Sequence, residues 1–269
     1  MNNLIKLTLV TFILCSFNLA AEESSKINNI NFADRIEEFS LDNGLNVILI
    51  KDNRSNNVVS SIWYRVGSSY ENEGITGISH LLEHMMFKGT EKFSAGEFSS
   101  AIKKIGGTEN AFTGRDFTGY YQKVNKEFLS MCLKYEADRM TNLQFTNDDL
   151  TSEREVVKEE RRLRTEDQPI SAIFEKIGLH ILGMTDYGIP IIGTMDDLNN
   201  ITLRDLENWY KKYYKPSNAT IIISGNFDRK SIKNEIKLYF GDIKNTEMEL
   251  SDVSSKKLEM SFDDIRMKE

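Results

Sequence analysis

His80-Leu81-Leu82-Glu83-His84 carries two of the chain's three histidines, four residues apart, with a glutamate just before the second. On a helix, positions i and i+4 share one face with Cβ atoms about 5–6 Å apart. Two imidazoles at that spacing reach a single tetrahedral metal ion. Glu83, at i+3 from His80, borders the same face. The competing reading is a pair of surface histidines on an amphipathic helix. The neighbours Ile78, Leu81, Leu82, Met85, Met86 and Phe87 leave such a helix little solvent face, and two histidines in so apolar a setting call for a partner.

Two ligands are not enough, because catalytic zinc usually has three protein ligands and an open position. His180, in Ile177-Gly178-Leu179-His180-Ile181-Leu182, reads as a buried and satisfied histidine. Better candidates lie in Glu153-Arg154-Glu155-Val156-Val157-Lys158-Glu159-Glu160, inside a predicted helix from Asn147 to Glu166. Leu150, Val156, Val157 and Leu163 make its apolar stripe. Glu153 and Glu160 fall within that stripe, whereas Glu155, Glu159, Arg162 and Glu166 fall on the opposite, solvated face. A buried carboxylate is costly unless it is paired or binds a metal. A structural salt bridge is the alternative for one of the two.

Around these segments the pattern is mixed. Phe39–Leu41, the turn Asp42-Asn43-Gly44 and Val47–Ile50 predict a hairpin. Val58–Val66, Thr108–Thr113, Phe117–Lys123 and Ala219–Ser224 predict further strands. Ile75–Lys88, Phe98–Ile105, Glu127–Met140, Ile170–Leu182, Leu203–Tyr213 and Ser231–Phe240 predict helices. The fold class is therefore α+β, a mainly antiparallel sheet with helices packed on it. The chain has 269 residues, with 34 basic and 41 acidic side chains and a net charge of −7. That acidic balance argues against nucleic acid as a partner. An apolar fraction of 40% sets the chain apart from disordered tails, and three prolines exclude Pro-rich linkers. Cys132, at helical spacing with Phe128 and Tyr135, reads as a small buried apolar residue.

The two-part motif, His80-Leu-Leu-Glu83-His84 with Glu160 76 residues after His84, resembles the pitrilysin family of zinc peptidases. These are the inverted zincins related to insulysin and the mitochondrial processing peptidase. Gly106-Gly107-Thr108-Glu109-Asn110-Ala111-Phe112-Thr113 running to Tyr120-Tyr121, Asp186-Tyr187-Gly188 to Ile191-Ile192-Gly193-Thr194, and Tyr213-Tyr214-Lys215-Pro216 resemble further family segments. The likeness covers roughly Phe39 to Asp242. It implies that residues 32–243 form a metallopeptidase N-terminal domain, with one zinc ion per chain on His80, His84 and Glu160. It implies Glu83 as catalytic base, Glu153 as a second catalytic carboxylate near the metal, and Asn110 and Ala111 as an edge segment that binds substrate backbone. Without the resemblance, Asn110 reads as a turn or edge residue, and Arg115 and Asp116 as turn residues.

Family members usually carry two halves facing across a chamber, and this sequence resembles one. Residues 244–269 then read as a linker or the start of a second half, with alternation from Leu258 to Arg266. The expected partners are a peptide substrate and a second copy or a second pitrilysin-like subunit. Met1 to Ala21 has one charged side chain, Lys6, and an apolar run ending at Ala20-Ala21, the pattern of a secretory signal. The run falls short of the roughly 20 residues that span a bilayer. An exported protein is expected, periplasmic or secreted, without a stable membrane span once the signal is removed. The leading function is a zinc endopeptidase that needs a second half for full activity. The alternative is a non-catalytic or truncated subunit that acts as a binding scaffold.

Overall fold

Asp42-Asn43-Gly44 reverses the chain as the spacing predicts: Gly44 takes φ +84° and its N–H donates to the Leu41 carbonyl at 2.9 Å. Strands β1 (Ile36–Ser40) and β2 (Asn46–Lys51) flank this turn. The computed structural model describes residues 32–183 and 185–245. The signal read at Met1–Ala21 and the alternation read at Leu258–Arg266 lie outside them. The chain divides into a short unit, Met1–Glu37, and a main unit, Glu38–Glu269. The described part of the first is a 3-10 turn, Phe32–Arg35, and the opening of β1.

The remaining strands are β3 (Asn57–Tyr64), β4 (Thr108–Thr113), β5 (Thr118–Asn125) and β6 (Ala219–Gly225). Their order is β1-β2-β6-β3-β5-β4. β3 runs antiparallel to β5 and β6, and β4 pairs antiparallel with β5, Asn110 opposite Tyr121 and Ala111 opposite Tyr120. β2 and β6 pair in parallel. The sheet is thus mostly antiparallel, and β4 is an edge. Alternation gives it one buried face: Val47, Leu49, Val58, Ile62, Tyr64, Tyr120, Val124, Ile221 and Ile223 all lie inside.

Eight α-helices are assigned among the described residues. They are α1 (Ile78–Met85), α2 (Glu97–Lys104), α3 (Leu129–Thr141), α4 (Asn147–Arg161), α5 (Pro169–Leu182), α6 (Met195–Asn200), α7 (Leu203–Tyr213) and α8 (Arg229–Phe240). A π-turn, Arg162–Glu166, continues α4 and completes the span expected from the sequence. α1 and α3 lie against β5, α4 and α7 pack on α1, and α8 packs on α3. Cys132 is buried on α3. No helix among the described residues is long and apolar enough to cross a membrane.

Three features fix α1. Its N-cap, Gly77, sits at φ +86° and offers no side-chain cap. A Cβ there would stand 2.6 Å from the Ile192 carbonyl oxygen, so glycine is required by conformation and by space. The orphan N–H groups are met instead by buried Glu71, which accepts from Gly77 N at 2.7 Å and Ser79 N at 2.9 Å. α1 therefore starts at Ile78, three residues later than the apolar pattern suggests, and Phe87 and Lys88 lie in a turn beyond its end.

Candidate metal centre

α1 holds His80 and His84 one turn apart with ring centroids 4.9 Å from each other. α4, started by a capping box between Thr146 and Asp149, crosses beside α1 and brings Glu160 to the same place. One ligand atom from each of His80, His84 and Glu160 lies within 4.8 Å of the others. Glu160 Oε2 is 3.8 Å from His80 Nε2 and 3.5 Å from His84 Nε2.

The protonation of these groups tests whether they fit a metal. Burial, reinforced by His84 and Arg164, pushes the His80 pKa down to about 3, so its imidazole is neutral at neutral pH. His84 Nδ1 faces Glu153 Oε2 at 3.2 Å, and a carboxylate there fixes the proton on Nδ1. The other ring nitrogen, His84 Nε2, faces the Glu160 oxygen. A half-buried carboxylate oxygen and the two Nε2 atoms thus converge at separations of 3.5 and 3.8 Å, with the His80 ring neutral. Two imidazole nitrogens and one carboxylate oxygen converging in this way suit zinc. The residues fit the group. Arg164 Nη1 holds the other Glu160 oxygen, Oε1, at 2.6 Å.

Glu83 is buried beside this group and lines the same cleft as His80, His84 and Glu160. Thr113 Oγ1 on β4 donates to Glu83 Oε2 at 2.5 Å. Burial raises the Glu83 pKa against the opposing pull of Thr113 and His84. Glu153 is half-buried and bridges two elements, with Oε2 on His84 and Oε1 on Lys88 Nζ at 2.7 Å. A cleft of about 770 Å³ opens over the site, bordered by Asn110 and Ala111 on edge strand β4 and by Phe174 and Gly178 on α5. Ala111 N–H donates to the Asn110 side-chain oxygen at 2.9 Å.

Three expectations change. His180 is exposed on α5 and takes no part in the metal-capable group, because α5 keeps no buried residue at all. On α4 only half of the apolar stripe packs: Leu150 and Val157 are buried, whereas Val156 and Leu163 are 48% and 57% exposed. Glu153 and Glu160 still turn inward, and Glu155 and Glu159 outward. Arg115 and Asp116 do sit in the β4–β5 turn, but they also dock another segment. The Arg115 guanidinium donates to the Tyr187 carbonyl, and Asp116 accepts from the Tyr187 hydroxyl at 2.6 Å.

Sequence reasoning missed Thr113, Lys88 and Arg164. Arg164 follows Glu160 by four positions, and that spacing was the available signal, whereas Lys88 meets Glu153 across two separate segments and carried none. Thr113 carried none, because it meets Glu83 only through the packing of α1 on β4.

Residues 46–195 match the family described as Insulinase (Peptidase family M16), and residues 200–265 match the Peptidase M16 inactive domain. The zinc protease PqqE of Helicobacter pylori is 34% identical over 216 residues, which are 80% of this chain and 49% of that one. The crystal structure of a protease from Helicobacter pylori superposes with TM-score 0.73 at 34% identity, over 80% of this chain and 52% of that one. The first half of the periplasmic protease PqqL from Escherichia coli superposes with TM-score 0.75 at 24% identity, over 82% of this chain and 49% of that one, a likeness of fold. The chain spans about half the length of the curated relatives it matches. The extent of the family match, which takes in both α1 and α4, makes this chain a member of the M16 (insulinase) peptidase family.

Proposed function

We propose that this chain is the metal-bearing half of a zinc endopeptidase, formed by residues 32–243, with zinc held by His80, His84 and Glu160. The observation that carries the reading is the convergence of those three acceptors beside buried Glu83, in a cleft bordered by an unpaired strand edge. Zinc bound there supplies Lewis acidity at the scissile carbonyl and lowers the pKa of a water from about 15.7 to about 7. Glu83, its Oε2 held by Thr113, takes the proton of the attacking water on its free oxygen and returns it to the leaving amine. Its raised pKa suits both transfers. A peptide laid along β4 beside Asn110 and Ala111 gains main-chain hydrogen bonds with little demand on its sequence. To reach the Ala111 N–H it displaces the Asn110 side-chain oxygen, which is then free to bind the peptide itself. Glu153 acts through His84, keeping the ring in the tautomer that offers Nε2.

A second half, supplied by another copy or a second pitrilysin-like subunit, completes the chamber. The Met1–Ala21 segment supports action in an exported compartment. The scaffold reading is disfavoured by the intact donor set, since a non-catalytic copy has no use for three converging acceptors and a base. Metal analysis and peptide cleavage by the purified chain test the proposal. Glu83→Gln is expected to keep its zinc and lose about 10²–10⁴ in turnover. Zinc loss in that variant, or turnover near the parent rate, contradicts the role given to Glu83.

A further inference from the structure

We propose that Lys88 is a positioning residue of the metal site, holding the Glu153 carboxylate against His84 Nδ1; the inference rests on the zinc reading above. The three groups form a chain from solvent to metal ligand. Lys88 Nζ contacts Glu153 Oε1 at 2.7 Å, and Glu153 Oε2 faces His84 Nδ1 at 3.2 Å. Both oxygens are engaged, one by His84 on α1 and the other by Lys88 in the turn that follows it, so the carboxylate plane is fixed. Asp149 lies 3.8 Å from the same ammonium and is the looser partner.

His80 provides the contrast within the same site. Its Nδ1 is buried and has no hydrogen-bond partner among the described residues. One histidine is therefore held only by packing, and the other by a charged relay. Partners of this kind orient a ligating imidazole and raise its basicity, and their loss typically costs about 10–100-fold in metal affinity. Without Lys88, Glu153 loses the partner of its Oε1 and turns toward water, and His84 loses the acceptor at Nδ1.

Two accounts of Lys88 predict opposite signs. If it acts only as a nearby positive charge, its removal makes the site more negative and tightens zinc binding. If it positions Glu153, its removal weakens binding. The experiment measures zinc dissociation constants of the full chain by competition with a chromophoric chelator. It also reads the histidine ring nitrogens of the metal-free chain by ¹⁵N NMR. Lys88→Met is expected to weaken zinc about 10–100-fold and Lys88→Arg by less than about threefold. In the metal-free parent the His84 signals should report a proton on Nδ1, and in Lys88→Met a mixture of tautomers. Lys88→Gln, which keeps length and polarity, gives the same direction if Lys88→Met does not fold.

Zinc binding by Lys88→Met at or above parent affinity overturns the inference, as does a metal-free His84 spectrum unchanged by the substitution. Equal weakening by Lys88→Met and Lys88→Arg also overturns it. A parent chain that binds no zinc refutes the metal reading instead, and the tautomer measurement still decides the part played by Lys88.

Discussion

Glu159 and Glu160 are neighbours in the chain with opposite surroundings. Glu159 is 56% exposed and pairs with Arg162, whereas Glu160 is 17% exposed and faces both histidines. Glu160→Gln is therefore expected to weaken zinc binding by more than about 100-fold, beyond the loss of an outer partner. Glu159→Gln is expected to leave zinc unchanged and stability within about 0.5 kcal/mol. Equal effects in a zinc titration of the two variants would place the wrong face of α4 at the metal. Cys132 gives a second expectation at this scale. Burial, with Glu136 and Glu109 adding to it, pushes its thiol up to about 12, so hardly any thiolate exists at neutral pH. In the folded chain the peptide containing Cys132 should resist alkylation and react on unfolding, as mass spectrometry of the labelled peptides would register. The residues legible in the sequence were those whose relation is local: His80 with His84 by helical spacing, and Glu153 with Glu160 by the face they share. Thr113 was not legible, because no spacing in the chain connects it to Glu83.

Most elements followed from periodicity and turn chemistry, and the departures have tertiary causes. α1 begins late because Gly77 takes a left-handed conformation against Ile192, so its first N–H groups depend on Glu71, seven residues before the helix. The parallel pairing of β2 with β6 joins strands about 170 residues apart, a contact no local pattern encodes. Glu71 makes the dependence of α1 testable. Glu71→Ala removes both caps from a buried helix start and is expected to cost about 2–4 kcal/mol in urea unfolding. The pH dependence has a definite sign. Burial raises the Glu71 pKa from an ordinary 4.5 to about 8, against the two N–H donors. The native state then holds this proton more tightly than the unfolded chain does. The contribution of Glu71 is complete below about pH 4.5 and falls as pH rises toward about 8. Comparison with Glu71→Gln, which does not titrate, isolates the effect from other groups. The parent's stability relative to that variant should decline between about pH 5 and about pH 8.5. A difference that stays level or grows would mean that Glu71 is already ionised throughout.

At the scale of the whole molecule, α5 stands apart. It is rich in apolar side chains, yet Ile170 and Phe174 are 70% and 68% exposed, with Ile173 and Ile181 also in the open. The same helix borders the cleft through Phe174 and Gly178. An exposed apolar surface continuous with a substrate cleft marks a place where another surface closes over it. The second half proposed above is the surface expected to face α5 across the cleft. The three proposed zinc ligands all lie on α1 and α4, so the chain alone should bind the metal. Turnover needs more. The loss of one donor to the developing oxyanion costs on the order of 10²–10³ in rate, and among the described residues the cleft has few groups beyond Arg115 and Arg164 to supply one. The isolated chain should therefore cleave peptides slowly. Adding a separately produced second half should raise the rate by about 10²–10³, with a matching increase in sedimentation coefficient. Ile170→Glu tests the surface itself. It lies in the first turn of α5, where a carboxylate suits the helix dipole, so folding and zinc binding should be unaffected while association and the rate gain are lost. A chain that sediments strictly as a monomer and cleaves peptides at full rate would show that this half is sufficient and that α5 serves the substrate rather than a partner.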